Sequence, residues 1–148
     1  MPYVKVWIHL IWSTKNRIKL ITDDFKLKLY DHIRKNASYK KIYVDYINGS
    51  DDHIHLLISM KADESLSKIV QLIKGESSYW VNKNNLIENK FEWQEEYIAI
   101  SVSESIVPKV REYIKNQEQH HRKKSFNEEF DLFLEKYGFK VLGAKANI

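Results

Sequence analysis

The chain has 148 residues, 43% of them hydrophobic, which fits one globular domain with a sizeable core and excludes a disordered chain. It has no cysteine, which excludes disulfides and thiolate metal sites, fits a reducing cytosol and leaves nitrogen and oxygen as metal ligands. A net charge of +4, with a pI near 9.1, permits nucleic-acid binding without demanding it.

The β-branched and aromatic run Val4-Lys5-Val6-Trp7-Ile8-His9-Leu10-Ile11-Trp12 predicts a first strand, followed by a basic loop at Lys15-Asn16-Arg17. Thr22 is a candidate cap for a helix with Asp23 and Asp24 in its first turn and Phe25, Leu29, His32 and Ile33 at helical spacing. Ile42–Ile47 predicts a second strand, and Asn48-Gly49-Ser50-Asp51 reads as a turn, Asn-Gly being a strong hairpin signal. A third strand carries Asp52-His53-Ile54-His55-Leu56-Leu57 and runs to about Met60. Asp63 or Ser65 would cap the next helix, whose apolar stripe is Leu66, Ile69, Val70, Ile73 and Trp80. Gly75 interrupts it at a cost of about 1 kcal/mol relative to alanine. Close packing on the sheet is the ordinary reason for such a glycine, and close approach of a ligand backbone the alternative.

Tyr97–Val102 predicts a fourth strand, and a helix starts near Ser105 with Pro108 in its first turn, continuing through Val110, Tyr113, Ile114 and Gln117. Ser125-Phe126-Asn127-Glu128 matches a capping box for a last helix that carries Phe126, Phe130, Phe133, Leu134 and Tyr137, with Gly138 as its stop. One domain over residues 1–138 with a flexible tail at 139–148 is expected. The order β-α-β-β-α-β followed by two helices is the ferredoxin-like α+β pattern. No apolar run approaches the roughly 20 residues that span a bilayer. Met1-Pro2-Tyr3 leads directly into the first strand without a signal peptide, so a cytoplasmic location is expected.

The residues with the most chemistry are His53 and His55. Alternate strand residues share a face, so both imidazoles face one way and Ile54 the other. That is two-thirds of a divalent-metal site, although partly buried structural histidines would look the same. Tyr113 and Gln117, four apart, share one face of their helix, and His120 and His121 extend it. A tyrosine close to a metal ligand can serve as a nucleophile, because a cation polarises the phosphate it attacks and stabilises the leaving oxygen. The ordinary alternative for Tyr113 is a half-buried helix tyrosine.

His53-Ile54-His55 together with Tyr113-x-x-x-Gln117 resembles the single-tyrosine HUH transposases, the small enzymes of insertion sequences that move as single-stranded DNA, and their palindrome-associated relatives. Lys74-Gly75-x-Ser77-Ser78 and Phe91-x-Trp93-Gln94-x-x-Tyr97 extend the resemblance, which covers residues 3–138. Where many relatives have a Gly-Gly-x-Pro-like turn before the histidines, this chain has Asn48-Gly49-Ser50-Asp51.

The resemblance implies that His53, His55 and Gln117 hold Mg2+ or Mn2+, with Gln117 favoured over His120 and His121 as the third ligand. It implies that Tyr113 attacks a DNA phosphate to give a 5′-phosphotyrosine and a free 3′-OH, on single-stranded DNA marked by hairpins. It also implies a homodimer with composite active sites, in many relatives completed by the partner's tyrosine helix, in a bacterial or archaeal cytoplasm. Lys15, Arg17, Lys74 and Lys115 are the candidate DNA contacts, with Lys19, Lys68, Lys109, Arg111, Arg122, Lys123 and Lys124 as further cations. The alternatives are a larger-type HUH nuclease such as a replication initiator or relaxase, a domesticated hairpin-binding relative, and a non-catalytic nucleic-acid-binding module of ferredoxin-like fold.

Overall fold

A computed structural model of the chain describes residues 2–117 and 125–136. The chain forms two compact units, Met1–Gln117 and Glu118–Ile148. The larger unit runs β1 (Val6–Ser13), a 3-10 turn (Lys15–Arg17), α1 (Asp23–Tyr39), β2 (Tyr43–Gly49), β3 (His53–Met60), α2 (Leu66–Lys83), β4 (Ile98–Val102), a 3-10 turn (Glu104–Ile106) and α3 (Val107–Lys115). The four strands pair antiparallel in the order β2-β3-β1-β4, which is the expected α+β sheet with the earliest strand inside. In the second unit, α4 (Phe126–Lys136) opens on the predicted capping box. The Glu128 amide donates to Ser125 Oγ at 3.2 Å and the Ser125 amide to Glu128 Oε1 at 2.9 Å. The expected helix stop at Gly138 and the residues His120, His121, Arg122, Lys123 and Lys124 lie outside the described residues.

Alternation along the strands sorts residues between the two faces of the sheet. Ile8, Leu10 and Trp12 of β1 and Ile54, Leu56 and Ile58 of β3 join Phe25, Leu29 and Ile33 of α1 and Ile69, Val70 and Ile73 of α2 in the main core. The opposite face holds a smaller cluster, Trp7, Leu57, Val107 and Ile114, onto which Tyr113 and Val110 pack. The helix α3 therefore lies across the face that carries the histidines.

Several local details differ from the sequence reading. Thr22 stands at the start of α1, but its hydroxyl donates to Asp24 Oδ1 at 2.6 Å rather than accepting from a backbone amide. Ser65, not Asp63, caps α2 by accepting from the Lys68 amide. Asn48 and Gly49 belong to β2 and not to the turn, which begins at Ser50, whose amide donates to the His53 carbonyl at 3.0 Å. Gly49 is required there because a Cβ would collide with the His53 carbonyl oxygen and come within 2.8 Å of Ile54 Cα. Gly75 does not pack on the sheet. A Cβ at that position meets nothing within 4 Å, so this interior glycine of α2 has no steric reason inside the unit.

Candidate active site on the histidine face

Thr14 fixes the approach to the site, its amide donating to the Asp52 carbonyl at 2.8 Å. This anchors Asp52 at the mouth of β3, in register with the end of β1, where Ser13 pairs with His53. Next along β3, His53 and His55 are both buried on the face opposite Ile54.

Each histidine has a partner that orients it. His53 Nδ1 donates to Asp52 Oδ1 at 2.7 Å, which leaves Nε2 to carry the lone pair of the neutral ring. That Nε2 faces Gln117 Oε1 at 3.1 Å. Two acceptor atoms pointed at each other repel unless a proton or a cation lies between them. Adjacent ligands around an octahedral cation with bonds of about 2.1 Å stand about 3 Å apart, so the pair fits one edge of a divalent-ion site. His55 Nδ1 meets Nε2 of a third histidine, His9 of β1, at 2.9 Å. When His55 donates in that bond, its Nε2 becomes the second ring lone pair, and the His53 and His55 rings lie 5.2 Å apart at 71°.

The tyrosine arrives on α3. Its ring packs edge-on against His55 at 5.7 Å between centroids and against His9 at 6.2 Å. Two contacts from β2 hold the helix in place. Asn48 Nδ2 donates to the carbonyls of Ile114 and Lys115 at 3.0 and 3.1 Å, capping the end of α3. Arg111 makes a bidentate pair with Asp45, Nε to Oδ2 at 2.6 Å and Nη2 to Oδ1 at 3.0 Å, where β2 shifts register. Gln117 follows two residues past the end of α3 and still reaches His53.

His53, His55, Tyr113 and Gln117, separated by up to 64 residues in sequence, thus meet on one face. All four belong to the unit Met1–Gln117. The structure also adds residues that the sequence reading missed. His9 went unremarked inside a strand buried on both faces, and Asn48 was hidden by the turn signal of Asn-Gly. The DNA candidates are dispersed. Lys15 and Arg17 are exposed on the 3-10 turn after β1, Lys115 is exposed at the last residue of α3, and Arg111 is committed to Asp45. Lys74 is half-buried on α2, and its burial lowers its pKa.

The ferredoxin-like sheet thus carries a histidine pair, a glutamine amide and a tyrosine on one face. Residues 2–117 match the family model described as transposase, IS200-like, and the chain belongs to that family of transposases. It is 28% identical over 115 residues to the ISDra2 transposase TnpA of Deinococcus radiodurans, covering 74% of this chain and 81% of that protein. The crystal structure of a Deinococcus radiodurans R1 protein proposed to be a transposase superposes with a TM-score of 0.64 at 26% identity, over 79% of this chain and 95% of that one. A REP-associated tyrosine transposase bound to a REP hairpin superposes at 0.58 with 16% identity, over 82% and 72% of the two chains, which speaks to fold. Among the described residues no helix is long and apolar enough to cross a membrane.

Proposed function

We propose that this transposase cleaves and rejoins single-stranded DNA at hairpin-marked ends through a 5′-phosphotyrosine intermediate. The observation that supports the reading is the meeting of the Tyr113 ring with His55 while Gln117 Oε1 faces His53 Nε2. In this reading His53, His55 and Gln117 hold Mg2+ or Mn2+, which when bound supplies polarisation of the phosphate and stabilisation of the leaving oxygen. Tyr113 Oη gives up its proton and forms the new bond to phosphorus as the bond from phosphorus to the 3′ oxygen breaks. The freed 3′ oxygen takes up a proton, and the strand remains attached to the protein through its 5′ phosphate. The phosphotyrosine ester conserves the bond energy, so attack by another 3′-OH rejoins the strand without ATP. Asp52 and His9 keep the two imidazoles in one orientation, and Asn48 with Asp45 keeps the tyrosine helix against them.

The hairpin as substrate is supported by the family and by the REP hairpin held by the structural relative. The proposed setting is the cytoplasm of a bacterium or archaeon. The proposed assembly is a homodimer, whose division of labour is read by mixing Tyr113→Phe and His53→Ala subunits. Restored cleavage means that helices are exchanged, and its absence means that each chain completes its own site.

The test of the chemistry is a denaturing gel of the protein incubated with hairpin DNA from the flanks of its gene and Mg2+ or Mn2+. The expected result is a metal-dependent covalent protein–DNA band that Tyr113→Phe abolishes while hairpin binding persists. Cleavage without any covalent band contradicts the assignment.

A further inference from the structure

One hydroxyl on the histidine face is left over. The buried serines and threonines among the described residues are Ser13, Thr14, Ser50 and Ser77. Thr14 Oγ1 donates to the Asp52 carbonyl at 3.2 Å, Ser50 Oγ to Asp51 Oδ1 at 3.3 Å and Ser77 Oγ to the Ile73 carbonyl at 2.6 Å. Ser13, only 4% exposed, makes no side-chain hydrogen bond to any described residue. A buried hydroxyl without a protein partner costs free energy, and native proteins keep few of them without a use.

The strand register says where this hydroxyl points. Ile8, Leu10 and Trp12 face the main core, so Ser13 faces the histidines. It stands opposite His53 across the ladder of β1 and β3. The Thr14 amide donates to the Asp52 carbonyl, while the Ser13 carbonyl turns the other way and accepts the Gln94 amide at 2.8 Å. Ser13 and His53 are therefore a non-hydrogen-bonded pair, whose Cα atoms come within about 4.5 Å and whose side chains stand closest. His55 is the diagonal neighbour of Ser13 on the same face. With backbone paired on both sides, Ser13 has little freedom beyond its own rotamer.

Reach decides what the hydroxyl can touch. Oγ is one bond from its Cβ, whereas His53 Nε2 is three bonds from its own. The hydroxyl therefore lies nearer the sheet than an ion bound at that nitrogen. An oxygen ligand about 2.1 Å from an ion, with a hydrogen bond of about 2.8 Å beyond it, makes up this difference. An octahedral ion held by His53, His55 and Gln117 has three positions left, and Mg2+ tends to keep water in such positions.

We propose that Ser13 is a positioning residue for the ion: its hydroxyl accepts a hydrogen bond from the water ligand on the sheet side of the ion, and so fixes which positions remain for DNA. The proposal rests on the metal site of the transposase reading. It is tested without DNA, by titrating the protein with Mn2+ and following the free ion by electron paramagnetic resonance. The wild type binds Mn2+ and His53→Ala does not. Ser13→Ala binds it about tenfold or more weakly, the loss expected for a partner of a metal ligand. Without metal, Ser13→Ala melts at or above the wild-type temperature, because it gives up no internal hydrogen bond. Ser13→Thr keeps the hydroxyl and binds Mn2+ within about threefold of the wild type.

Unchanged Mn2+ affinity in Ser13→Ala overturns the proposal, even where cleavage falls, since the hydroxyl would then be meeting DNA itself. A lower melting temperature of metal-free Ser13→Ala also overturns it, by revealing a partner inside the protein. A wild type that binds no Mn2+, or binds it equally after His53→Ala, strikes instead at the metal site of the transposase reading, so the two failures are distinguishable.

Discussion

One face of β1 and β3 turns Ile8, Leu10, Trp12, Ile54, Leu56 and Ile58 into the main core, while the other turns out His9, Ser13, His53 and His55. Both faces are buried, and they use burial differently. The core face excludes water around apolar groups, where volume matters more than identity. On the histidine face polar side chains are tied to specific partners, Asp52 to His53, His9 to His55 and Asn48 to the end of α3. Substitutions on the first should be read out as stability, and those on the second as chemistry.

The sharpest break between the two is Tyr113→Phe, which should reduce adduct formation by on the order of 10³-fold or more with an unchanged melting temperature. Leu56→Ala should do the reverse, costing about 2–5 kcal/mol in denaturant unfolding while the covalent band still forms at low temperature. His9→Ala and Asp52→Ala leave the proposed ligands His53 and His55 in place and remove what orients them. Each should raise the Mn2+ concentration for half-maximal cleavage by about 10–100-fold, with activity recovered at saturating metal. Asn48→Ala, which removes the cap on α3, should cost about 1 kcal/mol and speed hydrogen exchange at 113–117 without disturbing the core strands. If Asn48→Ala loosens the core strands as much as α3, the separation between the faces fails.

The core face was the easier of the two to read from sequence. Period-two alternation placed Ile54 opposite His53 and His55, and the stripe Leu66, Ile69, Val70 and Ile73 gave α2 its inward side. Residues whose partners are distant in sequence left no such trace. His9 sits in a strand with seven of eight positions buried, where an imidazole reads as one more core residue until His55 is placed beside it. Asn48 and Gly49 gave a correct signal of a chain reversal but the wrong position, because Asn48 is used to cap a helix and Gly49 to let β3 approach. Gly75 reads as a packing glycine until its surroundings are known to be open. Local patterns specify elements; which side chains meet across them depends on register.

The central claim is that Tyr113, among nine tyrosines in the chain, is the residue that becomes joined to DNA. Mass spectrometry of the digested covalent complex tests it directly. The account predicts a nucleotide attached through its 5′ phosphate to the peptide carrying Tyr113, and the linkage on any other residue, or through a 3′ phosphate, would contradict it.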